Sequence, residues 1–164
     1  MHYLNVCGVA TFVIALAAAA PNAVAQENSL KYTCQDVGNF ALEPLGDREG
    51  HAISVGQFSC RAVSGPMSGA LLTGSIIWEW DKTNAVLVSG SGVVRKPGAT
   101  AVYQDQEGKL ALTMADGKVT GFIATGRVSY RVGAGEAAAL AGKSFAFTAK
   151  STGPGQYEIE DKAE

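Results

Sequence analysis

From about residue 28 onward, apolar and polar residues alternate along this chain. Tyr32 and Cys34 interleave with Lys31 and Thr33, and Trp78 and Trp80 with Glu79 and Asp81. A period of two marks half-buried strands, whereas an amphipathic helix repeats every three to four residues. The alternation predicts strands over 30–35, 52–63, 70–80, 85–95, 100–104, 109–115, 118–132, 143–150 and 156–160. The connectors are short. Asp116-Gly117 is the strongest hairpin signal, because both central positions of a type I′ turn need positive φ. Tight turns are also expected at 81–84 and 105–108. One short helix is expected over 135–141, and the charged end 158–164 is expected to fray.

Two turns of helix cannot cover a sheet, so the sheet must bury itself against itself. The pattern predicts an all-β domain over 26–164, a single closed antiparallel barrel of about eight strands with a β-sandwich as the alternative. Glycines at 56, 74, 90, 92, 121 and 126 fall inside strand segments, where they are expected to permit bulges and the bending that closure demands.

The first 25 residues are different in kind. They are uncharged and apolar, with a run from Val9 to Ala20, and they close on Ala23-Val24-Ala25. This is the pattern of a secretory signal peptide, although its start lacks the usual Lys or Arg. The apolar run breaks at Pro21-Asn22, short of the roughly 20 residues of a membrane span. No membrane span is therefore expected once the leader is cleaved, and the protein is expected to be periplasmic or secreted. Of three cysteines, Cys7 goes with the leader and Cys34 and Cys60 remain. An even pair in an exported chain predicts one disulfide.

Charge narrows the partners. The net charge of −2, with scattered lysines, gives no basic stripe for nucleic acid or anionic lipid. Two nucleotide-binding look-alikes, Gly133-Ala134-Gly135-Glu136-Ala137-Ala138 and 137–144 (AAALAGKS), lack the strand–loop–helix context that phosphate cradling requires. With His51 as the one histidine beyond the leader and no GxSxG elbow, neither a serine triad nor a zinc site can be assembled. No metal and no cofactor is expected, and catalytic residues cannot be assigned.

What remains is an aromatic constellation. Period two places Trp78 and Trp80 on one face of their strand and Glu79 on the other, and sets Val128 and Tyr130 against Arg127, Ser129 and Arg131. The plain expectation is aromatic rings in the core and charges in water. The functional expectation makes the tryptophans walls of a pocket, with Tyr103 or Tyr130 as a polar tip and Glu79, Arg127 or Arg131 as an inward charge.

The run Ser89-Gly90-Ser91-Gly92-Val93 and the closing pattern from Leu140-Ala141-Gly142-Lys143 to Ser151-Thr152-Gly153-Pro154-Gly155-Gln156-Tyr157 resemble the allene oxide cyclase and dirigent-like barrel superfamily, including small bacterial secreted members. The resemblance implies an eight-stranded barrel with an interior for a hydrophobic or phenolic small molecule. Three functions are weighed: a binding barrel without catalysis, a cofactor-independent cyclase or isomerase, and a structural or envelope-interaction module. They differ in where Trp78, Trp80 and Tyr130 point.

Overall fold

The computed structural model describes residues 29–38 and 40–164, so the leader lies outside the described residues. Nine strands follow in order: β1 (Ser29–Val37), β2 (Leu42–Pro44), β3 (His51–Ser64), β4 (Leu71–Asp81), β5 (Asn84–Lys96), β6 (Ala99–Ala115), β7 (Lys118–Gly135), β8 (Ser144–Gly153) and β9 (Gln156–Ala163). All are antiparallel. Each long strand pairs with the next, and β1 pairs with both β3 and β9, which closes an eight-stranded meander. Strand β2 stands outside the closed ring, on the edge of β3. The expected barrel is the observed one, and the sandwich is not.

Parity does most of the sorting. Along β4, Leu72, Trp78 and Trp80 are buried while Leu71, Thr73, Ser75 and Asp81 are exposed. The interior carries rings and aliphatics, whereas the outer face mixes charges and hydroxyls with exposed apolar residues such as Val55, Leu71, Val86, Val88, Val119 and Ile123. Among the described residues, no helix is long and apolar enough to cross a membrane.

Turn chemistry holds at Asp116-Gly117, where positive φ was expected, and a tight turn forms within 81–84 as expected. Asp116 (φ 50°) and Gly117 (φ 73°) make the β6–β7 turn, and Lys82 (φ 57°) opens the β4–β5 turn. Cys34 and Cys60 face each other across the β1–β3 ladder and form the disulfide. By constraining the unfolded chain it stabilises by about 3–4 kcal/mol for a loop of this size.

Three local expectations are corrected. Residues 105–108 are not a turn but lie within β6, at a register shift between Asp105 and Glu107. Residues 158–164 do not fray: β9 continues to Ala163, and Asp161 is only 4% exposed. The short helix over 135–141 reduces to a single 3-10 turn, Ala138–Leu140, because Gly135 (φ 62°) ends β7 against the Gly98 carbonyl and leaves too little chain.

That turn has a purpose in packing. Leu140 and Ala137 join Met67, Leu30, Val94 and Ala99 in a close-packed plug at one end of the barrel. The other end, ringed by the β1–β3, β4–β5, β6–β7 and β8–β9 connectors, is not filled in this way.

Candidate functional site

Above the plug the barrel holds a cavity of about 290 Å³. Missing side chains shape its walls. Gly74, Gly90, Gly92, Gly108 and Gly126 lie on the inward side of β4–β7, and a Cβ on any of them would run into a neighbour: Tyr103 at Gly74 and Gly92, the Asp105 carboxylate at Gly90, Trp78 at Gly108, Phe147 at Gly126. These glycines therefore make room for large inward groups from adjacent strands, rather than marking bulges. Of the glycines expected to permit bulges, Gly121 does sit at a register shift, paired with Thr113 at the Thr113/Met114 irregularity, while the other shifts among the described ladders fall at Lys31/Tyr32, Ile77/Trp78, Val102/Tyr103, Asp105/Glu107 and Ser151/Gly153. At the rim, the Phe40 ring lies over Gly56, where a side chain on β3 would otherwise sit.

The walls are rings. Phe58, Trp78, Trp80, Phe122, Phe147 and Tyr157 all line the cavity, with Phe40 and Leu42 at its mouth. Trp80 satisfies its indole N–H by donating to Ser54 Oγ at 2.8 Å, which fixes the ring against β3. From β1 and β7, the Tyr32 and Tyr130 hydroxyls meet at 2.9 Å. Tyr130 also packs edge-on against Phe145, with ring centroids 5.5 Å apart. The Tyr103 hydroxyl is buried and has no hydrogen-bond partner among the described residues.

Three carboxyl groups enter this apolar space: Asp36, Asp105 and Asp161. Burial pushes Asp105 up to about 7. Burial does the same to Asp161, also to about 7; repulsion from Asp105 adds to it, and the nearby Tyr130 hydroxyl pulls part of it back. Asp36, nearer the mouth, is raised by the same cause. Charge is costly here because water is replaced by rings. The tyrosine hydroxyls are all raised by burial and stay neutral at physiological pH.

Of the residues named from sequence, Trp78, Trp80, Tyr103 and Tyr130 line the cavity together. Glu79, Arg127 and Arg131 do not: one position out of phase with the inward residues, their side chains lie on the outer face. Arg127 pairs there with Glu164 at 2.9 Å, and Glu79 accepts from His51 Nε2 at 2.9 Å. His51 Nδ1 reaches Asp47 as well, so the imidazole ties the loop before β3 to β4 and is raised by both carboxylates, Asp47 first. An inward charge at the pocket therefore comes from Asp105 and Asp161, which the sequence reading missed. Asp105 sits in QDQEG, which has turn composition. Asp161 could have been found, since Tyr157, Ile159 and Asp161 continue the inward parity of β9.

Among the described residues no cluster of His, Cys, Asp and Glu could hold a metal ion. No family model, curated protein or solved structure matches the chain.

Proposed function

We propose that this protein is an exported barrel that binds a compact hydrophobic or aromatic small molecule in its interior cavity. The observation that carries the reading is the cavity itself, about 290 Å³ of space lined by aromatic rings with a few convergent polar groups. Small-molecule sites have this character, and the volume falls just under their usual range of about 300–1,000 Å³, which suits a compact ligand. Export is supported by the leader-like first 25 residues and by the Cys34–Cys60 disulfide, a bond that persists in oxidising compartments. The closed eight-stranded meander is also the fold implied by the resemblance to the allene oxide cyclase and dirigent-like superfamily. Calorimetric titration with 2-naphthol tests the reading. Saturable 1:1 binding that is lost in Ala149→Phe, which fills the cavity from β8, supports it, and no heat with wild-type protein contradicts it.

A cofactor-independent isomerase or cyclase is favoured by one observation. Two inward carboxyls raised to about 7 share an apolar space with the Tyr32–Tyr130 hydroxyl pair. A carboxyl near neutrality can take and return a proton, and paired phenols can stabilise an oxyanion. Deuterium exchange at the α-carbon of 2-tetralone in D2O reads this out. Exchange above buffer that disappears in Asp161→Asn supports catalysis, and exchange at the buffer rate removes it. The exterior reading has less in its favour, because the three aromatic residues on which it turned all face inward.

A further inference from the structure

The ionisable side chains that line the cavity are of one sign. Asp36, Asp105 and Asp161 face inward, and the lining contains no Lys, Arg or His. The ion pairs among the described residues run along the outside and at the loops, and none of them includes these three acids. Asp161 is only 4% exposed, as is Tyr103, whose hydroxyl has no partner. A buried carboxylate without a counter-ion is expensive, by several kcal/mol in general.

The fold instead accommodates the acids. Gly90 has no side chain, and the Asp105 carboxylate occupies the space a Cβ would need. The β5–β6 ladder is interrupted at the same height, between the Val86–Lys109 and Ser91–Gln104 pairs. The surrounding walls are rich in aromatic rings, whose faces attract cations and repel anions. We propose that the cavity takes an organic cation, a compact amine or quaternary ammonium whose charge is neutralised by Asp105 and Asp161 and whose apolar body packs against Trp78, Trp80 and Phe147.

This rests on the reading of the cavity as a ligand site. An anion, such as a fatty acid, would meet two carboxylates and no cation. A neutral phenol can donate one hydrogen bond but leaves the charge uncompensated. A bare divalent ion lacks a ligand cluster among the described residues and gains little from rings.

The test compares benzyltrimethylammonium with neopentylbenzene, its uncharged carbon isostere, in two-dimensional NMR titrations of the full protein at pH 8.5. The cation should bind at least about tenfold tighter, an advantage within the range of desolvated cation–π and charge-assisted contacts. In Asp105→Asn/Asp161→Asn, whose peak dispersion verifies folding, the two affinities should converge. The wild type supplies a readout independent of the variant. The quaternary ammonium carries no titratable proton, so weakening of its binding between pH 8.5 and pH 5.5 reports protein groups alone. The titratable groups facing the two acids are Asp36 and Tyr32 from β1, Tyr103 from β6, Tyr130 from β7 and Tyr157 from β9. The tyrosines stay neutral over that range, which leaves the carboxyls. Equal or tighter binding of neopentylbenzene overturns the cation inference and leaves the cavity reading standing. If neither molecule shifts the interior resonances, both readings fall. Unchanged cation affinity in the double variant, or across the pH range, overturns the assignment to Asp105 and Asp161.

Discussion

Gly90 and Asp105 are complementary across the β5–β6 seam: the carboxylate of one fills the volume that the absent side chain of the other leaves. A methyl group at position 90 must push the acid off its position. Gly90→Ala should therefore destabilise by about 1–3 kcal/mol, the usual range for overpacking. In a double-mutant cycle read by urea unfolding, Gly90→Ala/Asp105→Ala should recover most of that loss. Additive effects of the two changes would show that the residues do not share the space.

The buried acids set a pH dependence with a definite sign. Asp161 titrates near 7 in the fold, against an ordinary value of 3.8. Its native state thus holds a proton that the unfolded chain releases. The corresponding stability is complete below about 3.8 and is lost as pH rises through about 7. Asp161→Asn should leave stability near pH 4 almost unchanged and raise it by about 1–4 kcal/mol at pH 8.5. Urea unfolding at the two pH values checks this. Destabilisation at pH 8.5 would mean the ionised carboxylate is held by more than the Tyr130 hydroxyl.

At the outer face, His51 is raised by carboxylate partners rather than by burial. Held between Asp47 and Glu79, the imidazole is raised above its ordinary value, so its contribution is complete below that value and disappears as pH rises through the raised one. Glu79→Gln should lower the melting temperature more at pH 6 than at pH 9. It should also bring the NMR titration of His51 down toward the ordinary histidine range. An unmoved titration would show that Asp47 alone sets it.

Reduction of Cys34–Cys60 separates neighbours in the β1–β3 ladder rather than distant parts of the barrel. Loss of the cross-link should cost about 3–4 kcal/mol in chemical unfolding while the chain still folds to the same strand content by circular dichroism. Loss of the β-sheet signal on reduction would contradict a barrel held mainly by its own packing.

Much of this architecture was legible because period two is a strong local signal. The strand segments, the Asp116-Gly117 turn and the inward placement of Trp78, Trp80 and Tyr130 all follow from it. The failures share one cause: composition was weighed above parity. The polar composition around Asp105 reads as a turn and the charged end of the chain as a fraying tail, which assigns to solvent two acids that the barrel holds inside. The strand glycines read as sites for bulges and bending, because a sequence shows an absent side chain but not the Tyr103 ring or Asp105 carboxylate that occupies its place at Gly74, Gly90 and Gly92. Glu79 and Arg127, which do bear charge beside aromatic residues, are excluded from the cavity by a single position of phase.

The account stands most directly on whether the interior takes up a small molecule, and calorimetric titration of 2-naphthol into wild-type protein and Ala149→Phe measures that. The account predicts one saturable site in the wild type and none in the filled variant. Absence of binding to the wild type, or equal binding to both proteins, would contradict it.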